Sequence, residues 1–278
     1  MCAEHGIYIG PSTFEYENEA HNLLWTAPDD LALLAAIKRF KRESRMSRER
    51  SEDAVSWNVF RGLERSGKLR TWLASQLGYD VREPRLHFWS YDEASEGTWP
   101  PLVRARKAFS EDAGRGSEPD LIIEADDVDV WVEAKFGSNN DTRPSDLDGA
   151  RKRYCAGGNR WYDSVCKQRQ DFDFIADALR RYELLRLWLL GSQQASVRSK
   201  RFVLINLVRE GQALDIEGFA QEAFKQDEDR RVLRATWEGV ASMLDSASDE
   251  PTRELRGYLQ TKTIGYDSKG RLVKAFMV

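Results

Sequence analysis

The sequence predicts an α/β fold in which a central mixed β-sheet is flanked by helices. Three features predict it. Apolar residues with helical spacing follow Ser51, three short apolar segments of strand length lie between residues 86 and 136, and a compact apolar run, 202–208, follows a long helical stretch. Helices and strands in this order cover both faces of one sheet. The series helix, strand, strand, strand, helix, strand occupies residues 51–208.

The N-terminal part is expected to be irregular at first and then helical. Glycine and proline are scattered through residues 1–28, which predicts no regular structure there. A helix is predicted to begin at Pro28 and to become basic from Lys38. Ser51 is a typical N-cap for the next helix, on which Glu52 is centred on the apolar stripe. A carboxylate there either has a buried partner or stays hydrated at the helix N-terminus, and both interpretations stay open.

The middle of the chain predicts three strands. Residues 86–91 form the first strand candidate, and a polar segment over 92–118 follows it. Residues 120–124 and 129–136 are two further candidates, joined by the acidic turn 125–127. That turn is short enough for an antiparallel hairpin.

Alternation along the hairpin strands predicts which side chains share a face. Glu133 and Lys135 point to one side of the second strand, and an apolar row points to the other. The hairpin brings Asp120, at the start of one strand, next to Glu133, near the end of the other. Glu124 shares the parity of Asp120 but lies roughly 13 Å along the strand at about 3.3 Å per residue, so we exclude it from the site.

The rest of the chain predicts more helices and a final hairpin. A loop over 137–160 leads into a helical stretch at about 161–190, which precedes the last apolar strand. Residues 216–224 and 231–244 read as amphipathic helices, and 263–273 predict a terminal hairpin. We expect one compact domain. Its parts are an N-terminal extension (1–50), a core (51–210) and a C-terminal extension (211–278).

Composition excludes several classes of protein. The 278 residues are 32% charged and 41% hydrophobic, which is typical of a soluble globular protein. No apolar run approaches the roughly 20 residues that span a bilayer, and the N-terminus lacks the features of a signal peptide, so we expect a cytoplasmic location and no membrane partner. The three cysteines and three histidines lack metal-ligand spacing, which argues against a zinc site or a disulfide framework.

The residue types in the hairpin suit one kind of chemistry. Phosphodiester hydrolysis needs a cation to neutralise charge in the transition state and to make water nucleophilic. Mg2+ takes oxygen ligands, typically one or two carboxylates with waters and substrate oxygens. Asp120, Glu133 and Lys135 on neighbouring strands supply these needs. The alternative is an ordinary hairpin with charged residues on its solvated face.

Pro119-Asp120, then Glu133-Ala134-Lys135, within this order of elements, resembles the PD-(D/E)xK nuclease superfamily over residues 51–208. The resemblance implies a restriction-endonuclease-like αβββαβ core and a Mg2+- or Mn2+-dependent deoxyribonuclease of restriction or phage defence. It implies that Asp120, Glu133 and the Ala134 carbonyl bind the metal, and that Lys135 positions or activates the attacking water.

The same resemblance extends to two further residues. Several families of this kind carry a metal-site glutamate on the first core helix, which corresponds to Glu52. Many also have a polar residue on the helix after the lysine strand, which corresponds to Gln168, although a simple polar helix face is the stronger interpretation there.

Two basic segments predict a nucleic-acid partner despite the net charge of −4. Residues 38–50 hold seven basic residues against two acidic ones, and residues 151–169 hold six against one. Such segments beside an acidic centre would follow a phosphate backbone, most simply of double-stranded DNA, and cutting both strands of a palindrome would need a homodimer. Solvated helix faces are the alternative. An RNA or repair nuclease, and an inactive binding module, also stay open.

Overall fold

A computed structural model of the protein describes residues 2, 5–41, 45–112, 116–169, 171–245 and 249–278. A central five-stranded mixed sheet is flanked by helices. The helices are α1 (Pro28–Phe40), α2 (Glu52–Arg65), α3 (Leu69–Leu77), α4 (Pro100–Ala108), α5 (Leu147–Val165), α6 (Tyr182–Val197), α7 (Ile216–Ala223), α8 (Trp237–Leu244) and α9 (Glu250–Thr261). The strands are β1 (Ile7–Ile9), β2 (Phe14–Tyr16), β3 (Arg85–Phe88), β4 (Tyr91–Asp92), β5 (Gly97–Thr98), β6 (Leu121–Glu124), β7 (Val128–Ala134), β8 (Arg201–Val208), β9 (Arg230–Thr236), β10 (Thr263–Tyr266) and β11 (Leu272–Lys274).

The central sheet has the strand order β3-β6-β7-β8-β9. Strands β3, β6 and β7 are antiparallel neighbours, whereas β7, β8 and β9 run parallel. All seven residues of β7 are buried, as expected for a strand covered on both faces. The predicted α/β class with a mixed sheet between helices is therefore confirmed.

Each face of the sheet carries its own hydrophobic cluster. One cluster joins Trp57 of α2 and Trp237 of α8 to residues as distant as Leu34 and Leu255, so it draws on both terminal extensions. The other joins Trp188 of α6 to side chains of α4, α5 and α7. Among the described residues, no helix is both long enough and apolar enough to cross a membrane.

Several predicted elements are confirmed. The Ser51 side chain accepts a hydrogen bond from the Ala54 N–H at 3.0 Å and caps α2, and α1 begins at Pro28. Strands β6 and β7 form the antiparallel hairpin with Leu121 opposite Val132. Strands β10 and β11 form the terminal hairpin, and α7 corresponds to the first of the two predicted C-terminal helices.

The second C-terminal helix, predicted over 231–244, is wrong in its first half. Strand β9 occupies that part and pairs in parallel with β8, and α8 starts only at Trp237. Val232 faces one hydrophobic cluster, while Leu233 and Ala235 face the other, which is the period of a strand. The free edge of β8 supplies the pairing that overrides the helical pattern.

Three segments expected to lack regular structure contain it. Residues 1–28 include the β1–β2 hairpin, 92–118 include α4, and 137–160 include the first part of α5, which Asp146 caps. The helix predicted over 161–190 is broken after Val165, because the chain there pairs with the residues that follow α7, and α6 is a separate helix. Helices α3 and α9 were not predicted.

Candidate active site

The candidate site lies where β6 begins and β7 ends. The hairpin register pairs Leu121 with Val132, which places Asp120 across from Glu133. Oδ2 of Asp120 accepts a hydrogen bond from the Ala134 N–H at 2.8 Å. The predicted approach of Asp120 to the end of the neighbouring strand is thus present, and a backbone hydrogen bond fixes it.

The second acid and the lysine share the face that strand alternation predicts. Trp131, two residues before Glu133, belongs to the cluster beneath α6, whereas Val132 and Ala134 belong to the opposite cluster. The Lys135 ammonium donates a hydrogen bond to Oε1 of Glu133. Glu133 and Lys135 are only 3% and 8% exposed, so this face is covered by protein and is not a solvated hairpin surface.

A third carboxylate, which sequence reasoning missed, completes the cluster. Oε2 of Glu183 lies 3.0 Å from the Lys135 ammonium. Glu183 is the second residue of α6, and its N–H donates to the Thr142 hydroxyl at 2.9 Å. The sequence predicted an unbroken helix over 161–190. That prediction places no helix start at residue 182, so it did not bring Glu183 to Lys135.

Burial and charge shift the pKa values of all four groups. Burial raises the pKa of Asp120 to about 7, against the charges of Lys135 and Lys41, although the residue keeps partial solvent contact. Burial also raises the pKa of Glu133 well above its usual value, and the nearby Asp120 adds to this. Burial alone would lower the pKa of Lys135 and raise that of Glu183. The charges of Glu133, Glu183 and Asp120 outweigh burial for Lys135 and raise its pKa, and the charge of Lys135 outweighs burial for Glu183 and lowers its pKa.

Glu52 reaches the site from α2 but binds backbone. Its Oε2 accepts hydrogen bonds from the Phe136 N–H at 2.7 Å and from the Ser138 hydroxyl at 2.7 Å, with the Gly137 and Ser138 N–H groups at 3.3 Å. Its charge contributes to raising the pKa of Asp120, which places it near the acids. Glu52 therefore holds the turn after β7, and this carboxylate oxygen is already satisfied.

Strand β8 contributes a polar residue beside Glu133. Asn206 is paired with Glu133 in the sheet register and is fully buried. Its amide donates to the Glu133 carbonyl at 3.2 Å and exchanges hydrogen bonds with the Asn140 side chain at 2.6 and 3.1 Å. The signal was visible in the sequence, because Asn206 is the only polar residue in the apolar run 202–208.

Gln168 is not brought to this site. It lies exposed in the turn after α5, next to Lys167, whose N–H donates to the Ala223 carbonyl at the end of α7. Helix α7 runs from the end of the sheet that holds the site back to the end where β9 begins. Gln168 is therefore at the opposite end of the strands from the site. The excluded Glu124 is also distant. It is paired across the hairpin with Asp129 and forms ion pairs with Arg198 and Lys200.

Each of the two basic segments has residues near the candidate site. In the first, Lys41 is paired with Asp53 at 2.7 Å and Arg50 donates to the Gly137 carbonyl, while Arg42 lies outside the described residues. In the second, Arg153 lies in the first part of α5, on the site side, whereas Arg160 lies within the kink of that helix.

Two open cavities flank the Lys135–Glu183 pair. One, of ≈ 370 Å³, is lined by Lys135, Asn140 and Arg181 among others. The other, of ≈ 530 Å³, is lined by Glu183 together with Arg153 and further polar residues. The pair therefore stands between two spaces that solvent or a polymer could enter.

The donor chemistry fits a hard divalent cation. Among the described residues, no three or more His, Cys, Asp or Glu side chains are grouped so that they could hold a metal ion. Mg2+ needs only one or two protein carboxylates when waters and substrate oxygens complete its sphere. The pKa values of Asp120 and Glu133 are both raised, so this pair attracts a proton or a cation.

Comparisons of the chain with protein-family models, with curated proteins and with solved structures found no match.

Proposed function

We propose that this protein is a metal-dependent nuclease that hydrolyses phosphodiester bonds, with double-stranded DNA as its substrate. The observation that carries the proposal is the convergence of Asp120, Glu133 and Lys135 at one end of the β6–β7 hairpin. The order α2, β3, β6, β7, α5 with α6, and β8 supports the restriction-endonuclease-like core that the sequence resembles.

Each residue of the site has a separate role. Asp120, Glu133 and the Ala134 carbonyl would hold Mg2+ or Mn2+, which supplies the positive charge that phosphodiester hydrolysis requires. Because its pKa is raised, Lys135 stays an ammonium at neutral pH. Lys135 would donate hydrogen bonds that hold the attacking water or a phosphate oxygen. Glu52 keeps the turn after β7 in place.

The test is cleavage of plasmid DNA, duplex and single-stranded oligonucleotides, and RNA, with Mg2+ or Mn2+ and with chelator. Native protein is compared with Asp120→Ala and Lys135→Ala, and with Asp126→Ala as a control. Asp126 is an exposed acid in the turn of the same hairpin, so its loss removes one charge far from the site.

We expect the native protein and the control to cleave, and both site variants and the chelated protein to be inactive. Cleavage that neither site substitution changes would refute the assignment of the site. Cleavage of RNA alone would change the substrate, and nucleic-acid binding without any cleavage would favour the binding module.

A further inference from the structure

Lys135 is an ammonium shared between two carboxylates on different elements. Its Nζ contacts Glu133 of β7 and lies 3.0 Å from Oε2 of Glu183 on α6. A buried ammonium needs such partners, since an unpaired buried charge is strongly destabilising. Glu133, however, is also the acid that the proposed function assigns to the cation. An ammonium and a divalent cation on one carboxylate repel each other at such short range.

Glu183 has the position to resolve this conflict. The start of α6 is fastened to the segment that follows the β7 turn. Thr142 accepts from the Glu183 N–H at 2.9 Å through its hydroxyl and from the Tyr182 N–H at 3.3 Å through its carbonyl, and Arg181 donates to the Asn140 carbonyl at 3.2 Å. The first turn of a helix also favours a carboxylate. These contacts hold the backbone of Glu183 beside Lys135, and the Glu183 side chain also lies within hydrogen-bond distance of Glu133.

The exposure of the three side chains points the same way. The Glu133 side chain is 4% exposed, the Lys135 side chain 10%, and the Glu183 side chain 36%. Glu183 also lines the ≈ 530 Å³ cavity. The lysine can thus stay paired on the open side, where water and a phosphate would arrive, while the inner carboxylate faces Asp120.

We propose that Glu183 is a positioning residue that holds the Lys135 ammonium while the Glu133 carboxylate is occupied by the cation. This inference rests on the proposed nuclease function. It makes Glu183 a residue that acts through Lys135, and it predicts that without Glu183 the lysine competes with the cation for Glu133.

The experiment compares Glu183→Gln with a matched control, Glu217→Gln. Glu217 is the second residue of α7, as Glu183 is of α6, and it is exposed. Both substitutions remove one carboxylate from a first helical turn. Mn2+ affinity is measured by isothermal titration calorimetry without nucleic acid, and single-turnover cleavage is measured separately. Circular dichroism checks that each variant is folded.

We expect Glu183→Gln to lose about 10- to 100-fold in cleavage rate and about tenfold in Mn2+ affinity, as for other residues that orient the groups around a metal, and the control to match the native protein. The deciding variant is Glu183→Gln combined with Lys135→Met. Removing the competing ammonium should restore Mn2+ affinity to at least the native value.

An equal loss of Mn2+ affinity with and without Lys135 would overturn the inference, because Glu183 would then be a direct ligand. Glu183→Gln that cleaves and binds Mn2+ like the native protein would overturn it too. A native protein that neither binds Mn2+ nor cleaves nucleic acid would instead remove the proposed function on which the inference rests.

Discussion

Asp120 accepts a hydrogen bond from the backbone N–H of Ala134, so the side chain that begins one strand is tied to the last residue of the next. This contact holds Asp120 next to Glu133, another carboxylate in a buried setting. Asp120 and Glu133 therefore repel each other in the absence of a cation. Residues arranged for function commonly cost stability in this way.

Asp120→Asn should therefore stabilise the cation-free protein. The asparagine oxygen can still accept from Ala134, while the repulsion with Glu133 is removed. We expect a gain of about 1 kcal/mol in the free energy of unfolding, which corresponds to a rise of about 2–4 °C in Tm for a chain of this size. Thermal unfolding in chelator measures this gain.

Added Mn2+ should raise the Tm of the native protein through preferential binding to the folded state, but not that of Asp120→Asn. Asp126→Asn, in the exposed turn of the same hairpin, is the control that should behave as native. A lower Tm for Asp120→Asn, or an unchanged response to Mn2+, would show that Asp120 is structural.

The second prediction concerns Glu52 and tests whether its carboxylate binds backbone N–H groups or the cation. Glu52→Ala leaves the buried Phe136 N–H without its acceptor, so we expect a loss of about 1–3 kcal/mol in the free energy of unfolding. Glu52→Gln keeps an acceptor oxygen and should lose less stability. Urea unfolding measures both variants.

Cation affinity decides the role of Glu52. We expect Glu52→Gln to bind Mn2+ within about twofold of the native protein, since the carboxylate is not counted among the direct ligands. Glu64→Gln, in the last turn of the same helix, controls for the loss of one charge. A tenfold weaker Mn2+ affinity with unchanged stability would restore Glu52 to the metal site that the sequence predicted.

Features set by residues close together along the chain could be predicted from the sequence, and features that depend on distant partners could not. The β6–β7 hairpin could be predicted because its strands are consecutive and strand alternation sets the face of Glu133 and Lys135. The Ser51 cap is equally local. Strand β9 could not be predicted, since its state depends on pairing with the free edge of β8, and a helical pattern competed for the same residues.

The same distinction between local and distant partners applies to the residues of the candidate site. Glu183 depends on where α6 begins, and that position is set by hydrogen bonds to the distant Thr142. Gln168 was assigned on the assumption of one continuous helix, so the break after Val165 removed it from the site. The position of Glu52 on α2 was correct. Its partners, however, are backbone groups of a turn whose conformation the sequence does not specify.

Glu124 provides the third prediction, a dependence of stability on pH. A hydrogen bond with His87 and the ion pair with Arg198 hold the pKa of Glu124 far below its usual value. A carboxylate whose pKa is lowered on folding stabilises the protein above the unfolded pKa of about 4.3 and loses that contribution as pH falls below it. Glu124→Gln should therefore cost about 1–3 kcal/mol at pH 7 and less at pH 3.5.

Urea unfolding of native protein and Glu124→Gln at both pH values measures this difference. Mn2+ affinity serves as the control and should stay within about twofold, because Glu124 is at the opposite end of the hairpin from Asp120. A stability difference that is equal at pH 7 and pH 3.5 would contradict the ion-pair explanation. A loss of Mn2+ affinity would return Glu124 to the site.

The last prediction concerns which part of the second basic segment meets the nucleic acid. Arg153 lines the cavity that Glu183 also lines, and among the described residues it has no ion-pair partner. Arg160 is paired with Asp163 at 2.7 Å, and its neighbour Trp161 contacts Ser192 near the opposite end of α6. Of these two arginines, Arg153 is therefore the one placed to neutralise a phosphate of a strand that crosses the site.

Arg153→Ala should weaken DNA binding and reduce the slope of log affinity against log salt by about one, whereas Arg160→Ala should leave that slope unchanged. Fluorescence anisotropy with a labelled duplex over a series of salt concentrations measures both, with Asp120→Asn as the background so that no cleavage occurs. Equal changes for the two arginines would mean that the whole of α5 attracts DNA nonspecifically. Each phosphate contact contributes its own counterion release, so a change for Arg160→Ala alone would place the DNA at the opposite end of the strands from the site.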